Sequence, residues 1–261
     1  MEWDGFRDTV ALITGSSRGI GQALARRFAQ SGADVVINYR QRGGRSQEQA
    51  ETLCKEIREM GRRTFMIQAD ISVKTSVKEM FSQVRDQWGR LDFLVLNAAR
   101  APFKPIEKLF ERELRQLVET NYLGNIFCIQ EGLGLLEQQQ GKIVFISSLG
   151  GRYYNPEYPL GSMKAAMECV VRDLSESLSP KRIRVNAVCG GFVKTDSFKV
   201  LRQYMEDLES LPEHFFVEPE AIADAVLFLC HPASRGIQGQ TLVVDRGLSN
   251  TLYRPRPQKR V

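Results

Sequence analysis

Short apolar runs alternate with amphipathic, helix-length stretches from one end of the chain to the other. The runs Thr9–Thr14, Asp34–Tyr39, Thr64–Ala69, Phe93–Asn97, Lys142–Ser147, Ile183–Val188 and Gln240–Val244 predict strands. Several are apolar at successive positions, the pattern of strands covered on both faces. Between them, apolar residues recur at helical spacing over 20–31, 46–60, 73–88, 107–138, 159–178 and 219–230. Strand–helix alternation with right-handed crossovers builds an α/β fold around a doubly wound parallel sheet of about seven strands. No linker or repeat interrupts the pattern, so residues 1–252 read as a single domain. The stretch Thr195–Phe216 is helix-prone but weakly anchored, and its place at the carboxyl edge of the sheet makes it a candidate substrate lid.

At 261 residues the chain can bury a large core without disulfides or metals, and no metal site is expected. Its cysteines, at 54, 128, 169, 189 and 230, are odd in number and form no C-x-x-C pair, which predicts mostly buried free thiols and a reducing, cytoplasmic setting. The N-terminus carries no basic apolar leader, and no apolar run approaches membrane-spanning length. The net charge of +5 is partly carried by the last residues, 253–261, which read as a basic, flexible tail. Lys104, Lys108, Arg112, Arg115, Lys199 and Arg202 surround the presumed site, either as a solvated surface or as a landing patch for an acidic partner. Basic residues form no aromatic-interleaved stripe, so nucleic acid is not an expected partner.

The loop Thr14-Gly-Ser-Ser-Arg-Gly-Ile-Gly21 follows the first strand and opens the first helix. Gly15 permits a tight turn, Gly19 lets the backbone approach a pyrophosphate, and Gly21 allows the helix to pack closely. Unpaired N–H groups at the helix start, with its positive dipole, suit the phosphates. The context is that of a Rossmann-type dinucleotide site.

The G-x-x-x-G-x-G spacing after Thr14 resembles the short-chain dehydrogenase/reductase superfamily, and the resemblance spans nearly the whole chain. It includes Asp70 after the third strand, Asn97-Ala-Ala after the fourth, Asn121 in the long helix, Ser147-Ser148 after the fifth, and Lys164. It implies a nucleotide site formed by Gly15, Ser17, Arg18, Gly19, Ile20 and Gly21, by Tyr39, Arg40, Asp70, Ile71, Asn97 and Lys164, and by Gly191, Val193 and Thr195. Where NAD-preferring members carry an acid at the end of the second strand, this chain has Tyr39 followed by Arg40. With Arg18 in the loop, two guanidiniums and no carboxylate point to a ribose 2′-phosphate, hence NADPH.

Members of the family usually place a tyrosine four residues before the lysine, and here that position is Leu160. The remaining acids are Tyr158, with Tyr154 and Tyr153 upstream. On an unbroken helix, six positions would set Tyr158 and Lys164 about 240° apart. Pro159 favours the first helical turn and would leave Tyr158 at or before the cap, free to reach the site. The wider spacing, together with Asn38-Tyr39, Ser147-Ser-Leu-Gly150 and Asn186-Ala-Val-Cys-Gly-Gly191, resembles the NADPH-dependent type III enoyl-[acyl-carrier-protein] reductases, which carry one more residue between tyrosine and lysine. That resemblance implies reduction of an α,β-unsaturated thioester on an acidic acyl carrier protein in fatty-acid or related lipid metabolism. Tyr158 (or Tyr154), Ser148, Asn121 and Lys164 are then the catalytic set, in a homotetramer or dimer assembled through helices 107–138 and 159–178. A carbonyl reductase of 3-ketoacyl type, and a catalytically weak NADPH-binding sensor or partner subunit, are the alternatives.

Overall fold

In the first strand, β1 (Val10–Ile13), Ala11 and Ile13 face one core and Val10 and Leu12 the other, all fully buried. A strand that alternates between two cores needs helices on both sides of its sheet. The computed structural model describes residues 5–153, 158–203 and 211–251. With β2 (Asp34–Tyr39), β3 (Thr64–Gln68), β4 (Phe93–Leu96), β5 (Lys142–Ser148), β6 (Arg184–Gly190) and β7 (Thr241–Val244), β1 forms a parallel sheet of order β3-β2-β1-β4-β5-β6-β7. The helices are α1 (Gly19–Gln30), α2 (Arg45–Glu59), α3 (Lys74–Trp88), α4 (Glu111–Val118), α5 (Gly124–Gln138), α6 (Leu160–Ser177), α7 (Asp196–Arg202) and α8 (Pro219–Cys230). Leu24, Phe28, Leu53, Ile57, Ile222 and Val226 bring α1, α2 and α8 onto one face. Val77, Phe81, Ile129, Leu136, Met167 and Val171 bring α3, α5 and α6 onto the other. Strand order reverses between β1 and β4, and the crevice at their carboxyl ends is where such sheets bind ligands.

Three expectations are corrected. The helix predicted over 107–138 is broken: a 3₁₀ turn at Ile106–Lys108, extended backbone at Leu109 and Phe110, then α4, a π-helical turn at Glu119–Leu123, and α5. The Phe110 N–H donates to Glu113 Oε2 at 2.9 Å, so the helical pattern begins afresh at a cap. The sixth strand runs two residues further than Val188, because Gly190 pairs with both Ser148 and Val244. The stretch Thr195–Phe216 is fastened at both ends, since Lys194 N–H donates to Val217 O and Val217 N–H to Phe192 O, each at 2.9 Å. Lys194 adds ion pairs to Glu213 and Glu218.

Cys54, Cys128, Cys189 and Cys230 are buried free thiols, whereas Cys169 is exposed. Among the described residues no helix is long and apolar enough to cross a membrane. Tyr154 and the tail 253–261 lie outside the described residues.

Candidate active site

The carboxyl ends of the strands open into one cleft of about 1000 Å³ that runs from the glycine loop to α7. Its nucleotide end is built on side chains that pin backbone. Asn38, buried at the end of β2, accepts from Gly15 N–H through Oδ1 at 2.9 Å and donates to Ala69 O at 3.1 Å. Thr14 Oγ1 accepts from the N–H groups of Asn97 and Ala98, both at 3.0 Å. Asn97 Nδ2 returns to Thr14 O and Gly15 O at 2.9 and 3.1 Å. The loop is thus held open from below, and a side chain at Gly21 would meet Gly15 O at 2.4 Å. Gly21 therefore lies beneath the loop rather than in the cleft, while Gly15, Ser17, Arg18, Gly19 and Ile20 line it.

Around the ribose position Tyr39 is buried, and Arg18 and Arg40 are exposed at the rim. Arg45, first residue of α2, is a third guanidinium on the cleft and was not expected. Its signal is the pair Gly43-Gly44, which turns the chain back toward the crevice with φ of 72° and 76°. Arg45 Nη2 reaches Asp196 Oδ2 at 3.3 Å. Lys199, with Arg45 and Arg18 nearby, holds that carboxyl below its usual range. Asp70 Oδ1 accepts from Ser72 N–H and Oγ at 3.0 and 2.7 Å, so it shapes its own turn as well as the cleft wall. Ile71, Asn97, Gly191, Val193 and Thr195 line the cleft too.

At the reactive end the structure brings Ser148, Tyr158 and Lys164 together, with Leu160 beside them. Pro159 is the cap of α6 and Leu160 its first helical residue, so Tyr158 precedes the helix and escapes its angular constraint. Its ring stacks on Phe103 at 6.3 Å, and its hydroxyl shares a hydrogen bond with Ser148. Burial pushes the phenol up to about 12, against that hydrogen bond. Ser148, at the end of β5, also accepts from Gly150 N–H at 3.3 Å. Lys164 is 5% exposed and donates from Nζ to Ile146 O at 2.6 Å, 4.7 Å from the centre of the Phe145 ring. Burial draws its ammonium down to about 8.

Asn121 does not line the cleft. Its Nδ2 donates to Arg100 O and Leu117 O at 2.7 and 2.8 Å, and its Oδ1 accepts from Arg100 N–H at 2.9 Å, fastening the loop after β4 to the π-turn. The far wall is apolar: Phe192 and Phe198 line it and Phe216 packs behind them, the three in mutual ring contact at 5.5 to 6.3 Å. Of the surrounding cations, Lys104, Arg115 and Lys199 are each paired with a nearby carboxylate, whereas Lys108 and Arg112 are exposed.

Residues 15–249 match the family described as Enoyl-(Acyl carrier protein) reductase. The chain is 36% identical to the 1-cyclohexenylcarbonyl-CoA reductase of Streptomyces collinus, over 93% of this chain and 88% of that protein. It is 34% identical to a 3-oxoacyl-[acyl-carrier-protein] reductase of Staphylococcus epidermidis, over 91% and 98% respectively. Among solved structures, a 7α-hydroxysteroid dehydrogenase complexed with NADH and 7-oxo glycochenodeoxycholic acid superposes with a TM-score of 0.84 at 28% identity, covering 93% of this chain and 94% of that one. A Burkholderia cenocepacia short-chain dehydrogenase in complex with NADP gives the same TM-score and identity, over 92% and 98%.

Proposed function

We propose, for a chain that belongs to the short-chain dehydrogenase/reductase superfamily of oxidoreductases, that it reduces the double bond of an α,β-unsaturated thioester with NADPH. The observation that carries this reading is the position of Tyr158. Pro159 places it ahead of α6 in one cleft with Lys164, while Leu160 fills the family's usual acid position.

The nucleotide end fits NADPH: a glycine loop held open from below by Thr14, Asn38 and Asn97, three guanidiniums at the rim, and Tyr39 in place of an acid. Gly15 to Ile20 would hold the pyrophosphate, Arg18, Arg40 and Arg45 the 2′-phosphate, and Asp70 and Ile71 the base. When bound, NADPH supplies hydride to the β-carbon of the enoyl group. Tyr158 donates a hydrogen bond to the thioester oxygen as negative charge develops there, Ser148 orients that hydroxyl, and the α-carbon of the resulting enolate takes a proton from solvent. A phenol near 12 stays protonated at neutral pH, which suits a donor to an enolate and does not suit a base for alcohol oxidation. Lys164 adds a positive charge on the same side and would hold the nicotinamide ribose. Phe192 and Phe198, backed by Phe216, receive an apolar acyl group.

The Streptomyces relative is named for a CoA-linked enoyl-type substrate and the Staphylococcus relative for a keto substrate, so carbonyl reduction is the second reading. A carrier-bound thioester would meet Lys108 and Arg112, an acidic carrier protein being the complementary partner. Exposed Phe110, Leu114, Val118 and Leu123 along α4 and the π-turn support assembly as a homo-oligomer, dimer or tetramer.

Incubation with NADPH and a crotonyl thioester should yield the saturated butyryl thioester by mass spectrometry, and crotonyl thioester left intact would refute enoyl reduction. Arg40→Asp removes one phosphate ligand and supplies a ribose acceptor. It should weaken NADPH about 10- to 100-fold relative to NADH in fluorescence titrations. Unchanged relative affinity would remove Arg40 from the phosphate site.

A further inference from the structure

Among the described residues five cations line the cleft: Arg18, Arg40, Arg45, Arg100 and Lys164. NADPH accounts for the three at its rim, and the nicotinamide ribose for Lys164. Arg100 is left over. It stands exposed in the loop after β4, and among the described residues its guanidinium has no ion pair or hydrogen bond. The nearby cations are spent elsewhere: Lys104 pairs with Glu113 at 2.6 Å and Arg152 with Glu168 at 3.0 Å. The Arg100 backbone, by contrast, is fixed. Buried Asn121 accepts from its N–H at 2.9 Å and donates to its carbonyl at 2.7 Å, so one side chain holds both edges of the residue. An arginine with a clamped backbone and an unspent charge is placed to bind an anion.

Sheet order decides which part of a thioester would carry that anion. β5 lies between β4 and β6, and Ser148 at its end marks, with Tyr158, the place of the thioester oxygen. Phe192 and Phe198 follow β6 and take the acyl group on one side. Arg100 and Phe103 follow β4 on the other, where Phe103 stacks on the Tyr158 ring. With the acyl group toward β6, the arm on the sulfur leaves toward β4. The chain beyond Phe103 leads on to exposed Lys108 and Arg112. We propose that Arg100 is a specificity-determining residue that binds the phosphate at the end of a pantetheine arm, the group shared by coenzyme A and carrier-protein thioesters. Arg100 has this role only if the substrate is a thioester, whether enoyl or keto.

Crotonyl pantetheine and crotonyl 4′-phosphopantetheine differ by that phosphate alone. Each is titrated calorimetrically into the protein holding NADP+, which has no hydride to give. Wild type should bind the phosphorylated thioester about 10- to 100-fold more tightly. Arg100→Gln should lose most of that ratio. Its affinity for crotonyl pantetheine and its thermal midpoint should be unchanged, because Asn121 holds the backbone and not the guanidinium. Arg100→Lys keeps the charge without the paired donors and should retain part of the ratio. Crotonyl-CoA and a crotonyl carrier protein should both bind Arg100→Gln more weakly, and the tighter of the two on wild type identifies the source of the arm. No phosphate preference in wild type would overturn the proposal. So would a ratio that survives Arg100→Gln, or one lost instead in Lys108→Gln. Failure of both pantetheine thioesters to bind would remove the thioester reading and the role of Arg100 with it. A phosphate preference lost in Arg100→Gln, with crotonyl thioester left unreduced by NADPH, would sink the enoyl reading alone.

Discussion

Tyr158→Phe is expected to lower kcat for the enoyl thioester about 100- to 1000-fold, the loss that follows removal of one donor to a developing oxyanion. NADPH affinity should be unchanged, because the hydroxyl meets Ser148 at the substrate end of the cleft, away from the arginine rim. The fold should tolerate the change. A phenylalanine keeps the stacking on Phe103, and Ser148 retains the Gly150 N–H as a partner, so the cost is about 1 kcal/mol. Tyr154→Phe is the control, and kcat should stay near wild type. Turnover that survives Tyr158→Phe and collapses with Tyr154→Phe would move the donor to Tyr154.

Gly161→Ala should be strongly destabilising, although alanine in a helix interior usually gains about 1 kcal/mol over glycine. A β-carbon at this position would lie 2.0 Å from Gly150 O and 2.7 Å from Gly150 C. Both are backbone atoms, so α6 and the turn after β5 must separate. Overpacking of this kind costs about 1–3 kcal/mol or more. At about 2–4 °C per kcal/mol for a chain of this size, a loss of about 3 kcal/mol lowers Tm by about 6–12 °C. Activity should fall further than stability. Gly150 is also in contact with the Tyr158 ring, so moving the turn displaces the donor. A thermal melt that shows the usual alanine gain would contradict this packing.

The doubly wound sheet and the glycine loop were legible in the sequence because local signals and tertiary packing agree there. Strands apolar at every position, such as Val10–Ile13, can only be buried on both faces. The loop announces itself through glycines whose spacing the backbone requires. That Tyr158 precedes the helix was legible through Pro159, which favours the first helical turn and leaves the residue before it outside. The break at Leu109–Phe110 was hidden because the apolar pattern of α4 continues on either side, and extended backbone there follows from the cap at Glu113. The fastening of the Thr195–Phe216 stretch depends on Val193 pairing with Val217, a contact between residues with no local signature. Asn121 had the right chain position, but its amide turns to Arg100, which only the folded loop reveals. The buried bonds of Glu168 to Ser147 and Arg152 stayed invisible, because a carboxylate four residues after a lysine reads as an ordinary surface pair on a helix.

The most direct measurement is NADPH oxidation at matched concentrations of crotonyl and acetoacetyl thioesters, with kcat/KM determined for each. Enoyl reduction with Tyr158 as donor predicts the larger kcat/KM for the crotonyl substrate, and its loss in Tyr158→Phe. Consumption confined to the acetoacetyl substrate would make the chain a carbonyl reductase. Consumption with neither, alongside tight NADPH binding, would contradict catalysis and leave a nucleotide-binding protein.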